Sequence, residues 1–290
     1  MNTESKSLSN PRSKHTYLVT CSGHATETVW CGIGKDYQYG DIFVKILYYG
    51  NHPKSKEALA AAKSEANLMD RVCKCSSHVP KLYDSWDDPA QKYYVLVMQK
   101  MPGQTLTQWE QKKRIRHYDE KAIRTRCLIL HNLTKILWDI HCKLPAYGHL
   151  DLKPDNVMIW LDEENHWQVG LIDFGTAALK HSVRVGTHGY QAPEQASPEG
   201  NKISTVVQKD VFALGMILHE LLSGTPAPTS YREFLQDFDS LEWKSRPSLP
   251  ADVIATRNGK RLAQLFEKMT SRDPDKRPNL RQVLQMLPLK

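Results

Sequence analysis

The sequence predicts an α+β chain whose first third is β-rich with one main helix and whose remainder is helical. Two observations carry this. From Thr16 to about Met98 the residues mostly alternate, or run apolar with β-branched and aromatic side chains. Beyond about residue 105, apolar residues return every three or four positions, the spacing of an amphipathic helix. A length of 290 residues is enough for one large domain or for two lobes sharing a cleft.

The elements follow in order. Tyr17-Leu-Val-Thr, Thr28-Val-Trp-Cys and Asp41-Ile-Phe-Val-Lys-Ile-Leu-Tyr are strand-like runs. After Pro53, residues 55–72 form a helix whose stripe is Leu59, Ala62, Ala66 and Met69. Glu65 falls on that inward stripe. An unpaired buried carboxylate is costly, so it needs a cation, and Lys45 on the third strand is the candidate. Tyr93-Tyr-Val-Leu-Val-Met98 is a further strand. Ile123, Cys127, Leu130, Leu133, Leu137 and Ile140 make one face of a long helix. Residues 157–161 and 167–172 are short β-prone runs around the polar turn Asp-Glu-Glu-Asn, which reads as a hairpin. The apolar run from Val211 to Leu222 reads as a buried helix.

Bulk properties set limits. The chain is 40% hydrophobic and 24% charged, without low-complexity tracts or repeats. No apolar run approaches the roughly 20 residues of a membrane span, and residues 1–11 lack an apolar signal core. These features predict a cytoplasmic protein with no membrane partner. The six cysteines are scattered, and Cys73-x-Cys75 with His78 is poor zinc spacing, so reduced thiols are the expectation. The net charge of +7 favours acidic partners by long-range attraction. Much of the local excess lies in residues 112–117, read as a solvated connection before a helix; nucleic acid is disfavoured as a partner.

The chemistry is concentrated in His149-Leu-Asp-Leu-Lys-Pro-Asp-Asn156 and Leu171-Ile-Asp-Phe-Gly175. Phosphoryl transfer proceeds mainly by positioning and electrostatic stabilisation of dispersed negative charge. Asp151 is placed to accept the incoming hydroxyl's proton, and Lys153 to sit against the γ-phosphate. Asn156 and Asp173 supply the oxygen ligands that a hard cation such as Mg2+ prefers. The predicted hairpin brings Asn156 and Asp173 together.

These two segments resemble the catalytic loop and the metal-binding Asp-Phe-Gly of the eukaryotic-type (Hanks-type) serine/threonine protein kinases. The resemblance extends over about residues 16–290 and implies the two-lobed α+β kinase fold. An N-lobe would cover about 16–98, a hinge about 99–104 and a C-lobe about 105–290, after a disordered tail at 1–15. It implies ATP and Mg2+ as cofactors and a protein as substrate. Lys45, held by Glu65, would contact the α- and β-phosphates. Gly23, Val29, Met98, Gln99, Met101 and Met158 would surround the nucleotide, Met98 guarding the back pocket and the hinge backbone binding adenine. Gly186-Thr-His-Gly-Tyr-Gln-Ala-Pro-Glu194 resembles the substrate-docking segment, in which Thr187 would contact Asp151 and Lys153. Glu194 would pair with Arg277, and Asp210 would brace the catalytic loop. Lysine two residues after the catalytic aspartate is the Ser/Thr-type signature.

Three departures stand out. Counting back from Val29, the family's glycine positions in the phosphate loop fall on Ser22, His24 and Glu27, with Gly23 nearby. Phe43 occupies the place of a small residue against adenine, so either the slot is narrowed or the strand slips to turn Phe43 away. Leu150 replaces the arginine that gathers an activating phosphate, which implies that no such phosphate is needed. Two other classes compete with a working protein kinase. A pseudokinase acting as a binding or scaffold module is favoured by the loop and Phe43, and opposed by Lys45, Asp151, Asn156 and Asp173. A small-molecule kinase shares the loop residues but lacks the Ala-Pro-Glu segment.

Overall fold

The computed structural model describes residues 4–52, 54–113, 119–175, 178–179, 186–187, 189–196, 204–226 and 247–289. Two compact units meet in sequence at Met101 and Pro102. The first is β-rich with one main helix and the second is mainly helical, the α+β organisation expected.

The first unit is built on β1 (Ser5–Ser9), β2 (Thr16–Ala25), β3 (Val29–Asp36), β4 (Gly40–Tyr48), β5 (Leu82–Asp88) and β6 (Tyr93–Gln99), with helix α1 (Ser55–Val72) between β4 and β5. The sheet order is β1-β2-β3-β4-β6-β5, and every pairing is antiparallel. Strand side chains alternate between faces. Ile42, Val44 and Ile46 on β4 therefore share one face, packed with Tyr17, Val19, Trp30, Trp86, Val95 and Val97 into a core. Phe43 and Lys45 lie on the other face.

The disordered tail expected at residues 1–15 needs correction, because residues 5–9 are a sixth strand. Its sequence, Ser-Lys-Ser-Leu-Ser, offers only Leu8 to the core and so carries little apolar pattern. Tertiary contacts hold it instead. Asn10, which follows β1, donates from Nδ2 to both carboxylate oxygens of Asp84 on β5, at 2.9 and 2.8 Å. The Tyr17 hydroxyl donates to the same carboxylate at 3.0 Å. Burial first, and then the Asp84 charge, pushes the Tyr17 phenol upward, so it remains a donor. The two edge strands of the sheet are thereby clasped together. Beside this clasp, His15 Nε2 meets Asp36 Oδ2 at 2.7 Å, with its ring stacked on Tyr17. We predict that Asn10→Ala, which leaves the Asp84 carboxylate short of a donor, costs about 1–3 kcal/mol locally. Hydrogen exchange of the β1 and β2 amides should accelerate at least about tenfold; unchanged protection would refute the clasp.

The second unit contains α2 (Leu106–Lys113), α3 (Glu120–Lys143), α4 (Val206–Ser223), α5 (Ala251–Ile254), α6 (Gly259–Met269) and α7 (Leu280–Met286). Its short strands are β7 (Gln104–Thr105), β8 (Tyr147–Gly148), β9 (Val157–Leu161), β10 (Trp167–Leu171) and β11 (Ala178–Leu179). Asp119 caps α3 by accepting the Ala122 amide at 2.7 Å, and the predicted face from Ile123 to Ile140 is buried. Helix α4 begins with a Thr205/Gln208 capping box and ends at Gly224, whose φ of 66° is the left-handed stop that favours glycine. It is buried along nearly its whole length, as its apolar run predicts. The β9–β10 hairpin forms in the expected place, with Val157 opposite Leu171 and β7 added beside β9. Of the basic stretch, Lys112 reaches Gln104 Oε1 at 2.6 Å, and residues 114–117 lie outside the described residues. Among the described residues, no helix is long and apolar enough to cross a membrane.

Candidate active site

In the second unit, the catalytic-loop residues are arranged around a buried brace. Asp210, at the start of α4 and fully buried, accepts the His149 amide at Oδ2 and the Leu150 amide at Oδ1, each at 2.9 Å. His141 Nε2 lies 3.0 Å from Asp210 Oδ2. This hold fixes Leu150 at φ 62°, a left-handed conformation that a leucine adopts only under constraint. The turn it creates presents Asp151.

The Asp151 carboxylate sits among three side chains. Thr187 Oγ1 donates to Oδ1 at 2.6 Å, Lys153 Nζ lies 3.0 Å from Oδ2, and Asn156 Nδ2 lies 3.3 Å from Oδ2. Lys153 Nζ also donates to Thr187 Oγ1 at 2.7 Å. The threonine hydroxyl therefore accepts from the ammonium while donating to the carboxylate. Gly186 lets the docking segment approach so closely, since a Cβ there would stand 2.6 Å from the Leu150 carbonyl oxygen. Lys209 is buried nearby; burial lowers its pKa, while Glu194 and Asp210 act to raise it.

The hairpin brings the two proposed metal-binding residues together in the chain path. Asn156 Nδ2 donates to the Asp151 carbonyl at 2.9 Å, which fixes the amide and leaves Oδ1 as its acceptor atom. The Ile172 amide donates to Asn156 O at 2.9 Å, so Asp173 follows one residue on. Asp173 is exposed, with φ 61°, and accepts the Gly175 amide at 3.3 Å. His149 ties the two segments: Nε2 meets Ile172 O at 3.0 Å, and its ring packs edge-on against Phe174. Sequence reasoning quoted His149 without giving it this role and passed over His141, because a bracing histidine has no local signature.

Two buried contacts hold the docking segment. Arg277 pairs bidentately with Glu194, at 2.6 and 2.8 Å, with side chains 0% and 1% exposed. Tyr190 donates its hydroxyl to Glu220. Glu220 was not anticipated, since an acid in an apolar helix reads as a surface residue until its partner is seen.

In the first unit, Lys45 Nζ meets Glu65 Oε1 at 2.8 Å, the pair inferred from the helical stripe. Pairing between β4 and β6 is unbroken from Ile42 to Tyr48, placing Lys45 opposite Leu96 and Phe43 opposite Met98. The strand has not slipped, and Phe43 shares the face of Lys45. Cys31 and Ile33, which sequence reasoning did not select, stand opposite Lys45 and Phe43 on β3. Val29 is on the same face, one step further along, opposite Leu47. Gly23 has φ +89° with open space around it. Gln99 ends β6, exchanging backbone and side-chain hydrogen bonds with Lys81, and Met101 is buried at the end of the first unit. Met158, half-buried on β9, belongs to the second unit, opposite Gly170.

Comparison with known proteins gives the same result. The protein kinase domain matches residues 34–287. The interferon-induced, double-stranded RNA-activated protein kinase of Rattus norvegicus is 31% identical over 260 residues, which is 84% of this chain and 46% of that protein. The serine/threonine-protein kinase D of Synechocystis is 28% identical over 228 residues, 74% of this chain and 39% of that protein. The Wee1-like protein kinase of Arabidopsis thaliana is 28% identical over 205 residues, 70% of this chain and 36% of that protein. The chain thus spans less than half the length of these relatives. With the domain matched over nearly its whole length and the catalytic loop, docking segment and lysine–glutamate pair all formed, the chain belongs to the eukaryotic-type serine/threonine protein kinase family.

Proposed function

We propose that this chain transfers the γ-phosphoryl group of ATP to serine or threonine hydroxyls of proteins. The observation that carries the reading is the triangle of Asp151, Lys153 and Thr187, in which a hydroxyl already hydrogen-bonds both the carboxylate and the ammonium. An acceptor hydroxyl in equivalent reach of Asp151 would be oriented for in-line attack. Asp151 takes its proton as the new oxygen–phosphorus bond forms and the bond to the bridging oxygen of ADP breaks. Lys153 offsets charge on the transferring group, and Lys45, held by Glu65, is assigned to the α- and β-phosphates.

Asn156 Oδ1 and the Asp173 carboxylate suit magnesium, which takes few protein ligands and keeps waters and phosphate oxygens. Among the described residues no cluster of three or more His, Cys, Asp or Glu offers an all-protein metal cage, which fits that mode of binding. The metal would supply charge neutralisation between the phosphates. Gly23, Val29, Met98, Gln99, Met101 and Met158 are assigned to the nucleotide by family position. Phe43, on the face of Lys45, narrows the adenine slot in this reading. The net charge of +7 favours acidic protein partners. Six free thiols favour a reducing, cytoplasmic setting.

The test is transfer of labelled phosphate from Mg-ATP to the chain and to a generic basic protein, beside Asp173→Ala. Phosphoserine or phosphothreonine that vanishes in Asp173→Ala is the expected result. A folded chain giving no transfer would refute the proposal in favour of the pseudokinase reading, which Phe43 and the glycine-poor loop favour.

A further inference from the structure

The starts of α3 and α6 meet on the surface of the second unit. The Arg257 amide, two residues before α6, donates to Glu120 Oε1 at 3.1 Å. Lys121 follows Glu120 directly, and Arg124 stands one turn further along α3. On the other side, Arg261 Nη2 donates to Gln285 O at 2.7 Å, joining α6 to α7, where Arg281 lies one turn before Gln285. Lys121, Arg124, Arg257, Lys260, Arg261 and Arg281 are all exposed. None of the six forms an ion pair among the described residues. The carboxylates in the adjoining turns are each bound to a main-chain amide: Asp119 to Ala122 at 2.7 Å, Glu120 to Arg257, and Asp252 to Val253 at 3.0 Å. Elsewhere, lysines such as Lys63 and Lys74 sit 3.0 and 2.7 Å from Asp87 and Asp70. The α3–α6–α7 surface therefore carries positive charge that the described residues do not compensate.

We propose that this surface docks an acidic, Asp- or Glu-rich segment of a partner protein. Four of the six cations are arginines, whose planar guanidinium groups match carboxylates bidentately. The exposed neighbours Gln264, Gln282 and Gln285 add polar contacts and no apolar ones. Trp138 is the large exposed apolar side chain on these helices, and it lies about four turns along α3 from Arg124. A single-stranded nucleic acid would be gripped by aromatic platforms, and a membrane surface by an apolar face. The surface offers neither, and its charge suits a run of protein carboxylates. The general attraction of acidic partners by the net charge thus has a defined place on the fold. In the kinase reading, on which this one clause rests, the partner is the protein substrate, held through a segment other than the one phosphorylated.

The test is fluorescence anisotropy of a labelled oligo-glutamate peptide titrated with the full chain. Wild type is expected to bind, with affinity falling as salt rises. Arg124→Glu/Arg257→Glu/Arg281→Glu should weaken binding at least about tenfold. The control Lys56→Glu/Lys135→Glu/Lys268→Glu changes the net charge equally at other exposed positions and should stay close to wild type. Equal weakening in both variants overturns the surface in favour of net charge, and so does a wild type that does not bind. A labelled DNA or RNA duplex that binds more tightly than the peptide, and is lost in the arginine variant, assigns the surface to nucleic acid and overturns the proposal. Phosphoryl transfer is read separately: for a substrate with a glutamate tail, the arginine variant should raise KM and leave kcat unchanged. No transfer by any of the proteins overturns the kinase reading, while the peptide result still decides the docking surface. Should circular dichroism show the arginine variant unfolded, glutamine at the same three positions is read in the same way.

Discussion

Asp151→Ala is expected to reduce the rate of phosphoryl transfer by roughly 10²- to 10⁴-fold, the usual contribution of a positioned base. This corresponds to about 3–5 kcal/mol of barrier. The loss should fall on the chemical step, because the proposed function assigns Asp151 to the acceptor hydroxyl and not to the nucleotide. Asp151→Asn, which keeps the shape but not the basicity, should fall nearly as far. Neither change should unfold the chain, since the loop is held separately by Asp210 through the His149 and Leu150 amides. Single-turnover rates with saturating Mg-ATP measure the effect, and circular dichroism checks the fold. A rate within tenfold of wild type in folded Asp151→Ala would remove Asp151 from the mechanism.

Arg277→Met should have the largest effect on stability. The change leaves the Glu194 carboxylate 1% exposed and without its two guanidinium hydrogen bonds. Breaking a buried pair from one side typically costs about 3–5 kcal/mol, because one charge remains desolvated and uncompensated. Arg277 also donates to the carbonyls of Ser271 and Gln208 and lies over the Phe212 ring, so its loss loosens the start of α4 as well. The double variant Glu194→Leu/Arg277→Met should regain part of the loss, since neither half of that ion pair is then left buried without the other. Urea unfolding of the full chain is the measurement. A single-variant loss below about 1 kcal/mol would mean that water reaches Glu194 or that the site relaxes around it.

Read from the residues alone, the legible parts of the site are those encoded over short distances, whereas the long-range contacts of Thr187, Glu194 and Asp210 were implied only by the family resemblance. Asp151, Lys153 and Asn156 lie on one loop, and the β9–β10 hairpin returns the chain to Asp173. Strand-prone residues on either side of a polar turn are enough to predict that return. Glu65 was legible for another reason, since a carboxylate on an apolar helical stripe requires a cation and Lys45 was near in the chain. Glu220, His141 and Asp84 were not legible. Each acts through a partner far away in sequence, such as Asp84 with Asn10 or His141 with Asp210, and a polar side chain without its partner has no pattern to read.

Phe43 marks the boundary between the two kinds of information. Its sequence context left open whether the strand slipped or the adenine slot narrowed. The unbroken β4–β6 register, enforced by burial of Ile42, Val44 and Ile46, decides that Phe43 shares the face of Lys45. By itself, the sequence determined the α+β class, the order of the elements and the residue types of the catalytic loop. These depend on apolar periodicity and on chemistry within short segments. Only the tertiary structure decided that residues 5–9 are a strand and that Asn10 and Asp84 clasp the sheet edges. Those outcomes rest on hydrogen bonds between small polar groups, whose partners are chosen by proximity in the folded chain.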